Sequence, residues 1–195
     1  MRKAIVWLDN RSGDQAAEIK REFGDEILRK TGQPEVVPIW PATRLRWLRQ
    51  HEPETFARAR KYLLVEDFLI HRLTGRFVSE HTLVSSTLYF EIARKRWWPA
   101  MLDYIGVSES QLPEVVPSGT AVGPLTKEAA RATGLAQSTL VVSGAYDHAA
   151  GAIGCGNLRQ GIVSETTGAS MAMVATLDKP LFDPALRLPC QCHAV

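Results

Sequence analysis

Residues 141–157 read VVSGAYDHAAGAIGCGN. An apolar run leads to a single carboxylate, Asp147, and a stretch of almost nothing but Ala, Gly and Ile follows. The run, with STL before it, is expected to be a buried strand. The stretch is expected to be a helix, although its glycines weaken it. An acid just beyond a buried strand stands where α/β folds place functional groups. Two readings of Asp147 stay open, and they are compatible. It is a catalytic base, or it is the N-cap of the helix, a role that Asp fills well. The small residues behind it let that helix approach another backbone or a ligand closely.

Downstream, GIVSETTGASMAMVAT (161–176) has two β-rich arms around a Thr-Gly-Ala tip, which predicts a hairpin. The hydroxyls and backbone N–H groups of Thr167, Gly168, Ala169 and Ser170 could grip a phosphate. A plain β-turn is the other reading. No Gly-Lys-Ser/Thr is present, so the tip is not a Walker A loop, and GAIGCG lacks the order of a dinucleotide fingerprint.

Upstream, the helical period dominates. RSGDQAAEIKREFGDEIL (11–28) places Ile19, Phe23 and Ile27 on one face. ATRLRWLRQH (42–51) does the same with Leu45 and Leu48. Pro53 opens the next helix, and LLVEDFLIHRLTG and RWWPAMLDYIG stop at Gly75 and Gly106. Residues 112–126 form a turn-rich connector, and Thr126 is expected to cap a short helix that ends before Gly134. The first half is therefore helix-rich and the last third α/β.

KAIVWLDN (3–10) is expected to be a short strand ending in a cluster of Trp7, Asp9 and Arg11. An indole can stack on a sugar while an acid and a guanidinium bind its hydroxyls. A core Trp beside a surface ion pair is the other reading. CQCH (190–193) supplies Cys190, Cys192 and His193, but only Cys155 is left to complete a zinc site, so no metal site is assigned. ARKRWW (93–98) mixes bases and aromatics as nucleic-acid binders do, or it begins a helix with buried Trp.

Composition bounds these readings. The 195 residues are 45% hydrophobic and 23% charged, as in an ordinary globular protein. A net charge of +2 argues against nucleic acid or an anionic membrane as the main partner. No apolar run approaches the roughly 20 residues of a membrane span. Three cysteines suggest no disulfide framework, so a cytoplasmic location is expected.

These pieces, in this order, resemble the FGGY family of carbohydrate kinases. VWLDNR is similar to the family's Trp-x-Asp-x-Arg segment, and RLRWLRQHEPETF to its Lys-x-x-Trp-Leu and Glu-Pro-Glu helix pair. EDFLIHRLTGRFVSEHTLVSSTLYF and LPEVVPSGTAVGPLTKEAARATGL resemble its Leu-Thr-Gly and Gly-x-Leu-Thr stretches. VVSGAYDHAAGAIGCGN resembles its Gly-x-x-Asp-x-x-x-Gly-x-x-Gly-x-Gly, and SETTGAS its Gly-Thr-Ser loop.

The resemblance implies a partial ribonuclease H-like fold of the actin/hexokinase type. Residues 1–156 would be the remainder of an N-terminal lobe, and 157–195 the start of a C-terminal lobe. It implies ATP-dependent phosphorylation of a sugar hydroxyl, on a ketose such as xylulose or a related polyol, with Mg²⁺. Asp147 then matches the base. Trp7, Asp9, Arg11 and His148 match the substrate side, and Thr167, Gly168, Ala169 and Ser170 the phosphate loop, with Ala169 where Thr is usual. No Asp-x-Gly-Thr hairpin and no adenosine segment are found, so the chain is expected to be a piece, inactive alone, that self-associates as a homo-oligomer or needs a partner. A non-catalytic helical interaction module remains the alternative.

Overall fold

The computed structural model describes residues 3–167, 171–183, 185 and 188–195. In chain order the elements are α1 (Gly13–Phe23), α2 (Glu26–Thr31), α3 (Pro41–His51), α4 (Pro53–Arg58), α5 (Val65–Thr74), β1 (Val78–Glu80) and α6 (His81–Val84). Then come β2 (Phe90–Glu91), β3 (Arg96–Trp97), α7 (Pro99–Ile105), β4 (Glu114–Val116), β5 (Ala121–Pro124), α8 (Lys127–Thr133), β6 (Leu140–Val142), α9 (Asp147–Gly154), β7 (Val163–Thr167) and β8 (Met171–Ala175). They gather into two compact units. One comprises Met1–Lys61, Ser85–Gln111 and Pro180–Gln191. The other comprises Tyr62–Val84, Leu112–Lys179 and Cys192–Val195.

The first unit is mostly helical. Ile19 of α1, Ile27 of α2, Leu45 and Leu48 of α3, and Met101 and Ile105 of α7 are all buried. The helix expected over 11–28 breaks at Gly24, whose φ of 47° ends α1 and turns the chain so that Ile27 still reaches the core. Phe23 packs edge-on against Trp98 and Tyr104, at 5.0 and 5.3 Å between ring centroids. The basic run at 93–96 is exposed and is not a helix start. It turns between β2 and β3, and Arg94 and Arg96 both pair with Glu91. Trp97 and Trp98 are buried behind it, and α7 starts only at Pro99.

The strand expected over 3–10 does not form. Residues 3–6 have no regular secondary structure, and Trp7 and Leu8 lie in a turn closed by Asp9 N–H donating to Val6 O at 3.0 Å. A strand exists only as part of a ladder, and no described segment pairs with this one.

The second unit carries the short ladders β1–β4 (parallel), β5–β6 and β7–β8 (both antiparallel). Ile70 of α5, Val78 and Val122 form its core, with Val116 and Val141 packed against them. Thr126 caps α8 as expected, its hydroxyl accepting the Ala129 N–H at 3.1 Å. The strand expected over 138–144 is there as β6, but it is not buried on both faces. Only Val141 turns inward, and Leu140 and Val142 are exposed. The β7–β8 hairpin likewise leaves Val163, Met171 and Met173 exposed on one face. Among the described residues no helix is long and apolar enough to cross a membrane.

Gly32 is the tightest backbone point of the first unit. It ends α2 with φ of 73°, and its carbonyl accepts the Cys190 N–H at 2.7 Å. A Cβ there would run into the Cys190 carbonyl. Gly134 has a similar φ of 75° with open space around it. Gly134→Ala should therefore cost about 1 kcal/mol of backbone strain. Gly32→Ala should cost roughly 2 kcal/mol more from the clash. Urea denaturation of the two variants checks this, and equal midpoints would refute the steric account.

Candidate functional site

Asp147 lies at the start of α9, but it is not the cap. Tyr146 occupies the N-cap, with extended backbone and no side-chain cap hydrogen bond, and Asp147 is the first helical residue. Its Oδ1 accepts the backbone N–H of His148 at 2.7 Å. It thereby satisfies one of the orphan donors of the helix start and places a negative charge at the positive end of the helix. The carboxylate is exposed, and among the described residues no cation pairs with it. It is held in place and still open to solution. The His148 ring stands edge-on to Tyr146, centroids 5.5 Å apart.

The helix packs against β7 and β8, and a Cβ on Gly151 would make only ordinary contact with the Thr166 hydroxyl, at 3.8 Å. Asn157 locks this contact. It is fully buried, and its Nδ2 donates to Ser164 Oγ at 3.0 Å and to the Val174 carbonyl at 2.8 Å. Thr167 ends β7, and its hydroxyl donates to Glu165 Oε1 at 3.1 Å. Gly168, Ala169 and Ser170 lie outside the described residues.

On the first unit, the structure brings Asp9 and Arg11 together. Arg11 Nε and Nη2 donate to the Asp9 carboxylate at 2.7–2.9 Å. The paired guanidinium, by hydrogen bond first, lowers the Asp9 pKa to about 2. Arg11 also sits over the Trp47 ring at 4.8 Å, and Trp47 stacks on His51 at 4.7 Å, one helical turn on. Arg44 donates to the Trp7 carbonyl at 2.6 Å. This scaffold fixes the turn, and the Trp7 side chain itself is largely exposed. An open cavity of about 620 Å³ in the same unit is lined by Gln33, Val37, Ile39, Trp40, Pro189 and Gln191, none of them an expected site residue.

Several polar residues were not expected from sequence. Glu80 and Asp67 are buried, and Glu66 is half-buried with its Oε1 unpartnered. Asp67 Oδ2 accepts the Leu64 N–H at 2.8 Å at the start of α5. Only the place of Glu66 and Asp67 inside the apolar run LLVEDFLI marks them as internal, and Glu80 has no such mark. Among the described residues no three His, Cys, Asp or Glu side chains are grouped so as to hold a metal ion.

A family model described as the FGGY family of carbohydrate kinases, N-terminal domain, matches residues 1–154. The xylulose kinase of Bacillus subtilis (strain 168) is 35% identical over 161 residues, which cover 83% of this chain and 32% of that protein. The xylulose kinase of Escherichia coli (strain K12) is 31% identical over 195 residues, covering 100% and 40%. A crystal structure of a kinase from Brucella ovis, described as a xyloylose kinase, superposes with a TM-score of 0.90 at 32% identity, covering 100% of this chain and 40% of that one. The expected ribonuclease H-like α/β fold class stands. The chain spans 32% to 40% of the length of these relatives.

The buried acids make the second unit sensitive to pH. Burial first, then the charges of Glu80 and Asp67, pushes Glu66 up to about 7. Burial first, with Glu80 adding, pushes Asp67 up to about 6. Both folded-state values lie above the ordinary carboxylate range, so the folded state binds more protons there than the unfolded chain. Stability is then highest below about pH 4 with respect to these groups and falls as the pH rises towards 7. Glu66→Gln should leave the melting temperature unchanged at pH 4 and raise it at pH 8. A difference that is the same at both pH values would contradict this.

Proposed function

As the chain belongs to the FGGY family of carbohydrate kinases, we propose that it forms part of an enzyme that moves the γ-phosphoryl group of ATP to a sugar hydroxyl. The sugar is a ketose such as xylulose, or a related polyol, as the names of the relatives suggest. The observation that carries the reading is Asp147. It is an exposed carboxylate held by the His148 backbone N–H at the head of a helix of small residues, inside the stretch that the family model covers.

Phosphoryl transfer passes through a loose transition state, so positioning and charge neutralisation matter more than strong base chemistry. An ordinary aspartate, with a pKa of about 4, suffices. Asp147 accepts a hydrogen bond from the sugar hydroxyl and aims its oxygen at the γ-phosphorus. The new O–P bond forms as the bond to the ADP oxygen breaks, and the hydroxyl proton passes to Asp147 late. Trp7 offers an exposed indole for a sugar ring. Asp9 and Arg11 hold the turn that presents it, and His148 adjoins the base. Thr167, with Gly168, Ala169 and Ser170, is assigned to the ATP phosphates. Mg²⁺ supplies charge neutralisation on the phosphates.

The lobe assignment, 1–156 and 157–195, belongs to the same proposal. The Asp-x-Gly-Thr hairpin and adenosine segment that the resemblance implies are not found in these 195 residues, and catalysis of this kind needs ATP enclosed and water excluded. The 195 residues alone should therefore show no sugar-dependent ADP release in a coupled assay across pentuloses and hexuloses. Turnover above the sugar-free blank would overturn the reading of the chain as a piece.

In the full-length kinase, Asp147→Asn should lower kcat by at least about two orders of magnitude, the usual scale for loss of a general base. The KM for sugar should change much less, since Asn still hydrogen-bonds a hydroxyl, and the thermal melt should hold. Steady-state kinetics with a melt decide it, and a wild-type kcat would sink the assignment.

A further inference from the structure

We propose, resting on Asp147 as the base, that Glu80 and Thr82 are positioning residues that set the Asp147 carboxylate through the peptide N–H of Tyr146. Glu80 ends β1 and is fully buried. Four donors converge on its carboxylate. The Thr82 N–H and the Ser118 hydroxyl reach Oε2 at 2.8 and 2.5 Å. The Thr82 hydroxyl and the Leu83 N–H reach Oε1 at 2.6 and 2.5 Å. A carboxylate only accepts, and four donors use its lone pairs fully.

This fixes the direction of the next bond. Thr82 has one hydroxyl proton, and Glu80 takes it. A lone pair of the same oxygen therefore faces the Tyr146 N–H, which donates to it at 2.8 Å. Tyr146 is the N-cap of α9, and Asp147 follows it as the first helical residue. Among the described residues the N-cap Tyr146 makes no side-chain cap hydrogen bond, and the Thr82 bond anchors the backbone from which Asp147 projects. The Ser118 branch holds the same segment from its other end. Next to Ser118, Gly119 N–H donates to Gly144 O at 3.1 Å, and Thr120 N–H to Ser143 Oγ at 3.1 Å. One carboxylate thus organises both loops that border the entry to α9.

Stability alone does not account for this arrangement. Among the described residues no cation pairs with Glu80. The charged groups nearest to it on α5, Glu66 and Asp67, are acids. A buried charge with acidic neighbours and no counter-ion is a poor stabiliser. Its geometric service to the 143–147 segment is what it supplies in return.

The test uses Thr82→Val, which keeps the shape and removes the relay, and Thr82→Ser, which keeps the hydroxyl. Thr82→Ala is a second probe of the relay should the valine fail to fold. In the full-length kinase, Thr82→Val should lower kcat by roughly ten- to a hundredfold with the KM for ATP unchanged, and Thr82→Ser should restore it to within about threefold. In the 195-residue chain, exchange of the Tyr146 amide should quicken by at least about tenfold in Thr82→Val and stay slow in Thr82→Ser. On the Asp147→Asn background, Thr82→Val should add no further loss of kcat, because it acts through that carboxylate. A Thr82→Val enzyme with wild-type kcat, beside an inactive Asp147→Asn, overturns the positioning role and leaves the base assignment standing. A loss that multiplies on the Asp147→Asn background shows a merely structural role and overturns it as well. Wild-type turnover in Asp147→Asn itself overturns the base reading and this inference with it.

Discussion

The buried carboxylate of Glu80 is the constraint on which the second unit depends. It ends a strand, starts α6 by accepting two backbone N–H groups, and reaches the segment that leads into α9 through Thr82 and the β4–β5 connection through Ser118. An isolated charge in this position would be expelled by its desolvation cost. It is retained because every lone pair is used, which is the condition for a buried polar network to rigidify its surroundings rather than weaken them. Rigidity at the head of α9 is what a catalytic carboxylate requires, since a group that must meet a hydroxyl and a phosphate gains most from being held in place beforehand.

The two groups of expected site residues differ in how their charges are used. Asp9 is satisfied by Arg11, and Arg11 is stacked on Trp47, so this cluster has little capacity left and reads as a support for the exposed Trp7. Among the described residues Asp147 accepts one hydrogen bond, from the His148 N–H, and keeps acceptor capacity beyond it. Among acids brought out by one family pattern, the geometry separates one that supports from one that is available.

Much of this was legible in the residues. Regular periods and terminators carried α3, α5, α8 and the β7–β8 hairpin, because each element's own sequence states its apolar face and its ends. Asp147 was legible because a lone acid between a β-branched run and a run of Ala and Gly has few local explanations. The failures were non-local. Residues 3–8 have strand composition, but a strand is defined by a partner. β6 looked buried on both faces because its apolar run cannot say which side is covered. Gly24 broke one helix into two without altering its period. The role of Glu80 was invisible, because its donors come from residues 2, 3 and 38 positions away, and no spacing rule connects Ser118 with it. The cap reading of Asp147 missed by one residue, because Tyr146, with non-helical φ −53° and ψ 139°, holds the N-cap position.

The central claim is that Asp147 receives the sugar hydroxyl. The most direct measurement is a crystal structure of the full-length kinase with its sugar bound. The account predicts a sugar hydroxyl within hydrogen-bond reach, roughly 2.6–3.2 Å, of the Asp147 carboxylate, with the Tyr146–Thr82–Glu80 bonds intact. A bound sugar with no hydroxyl near Asp147, its carboxylate still engaged only by the His148 N–H, would contradict it.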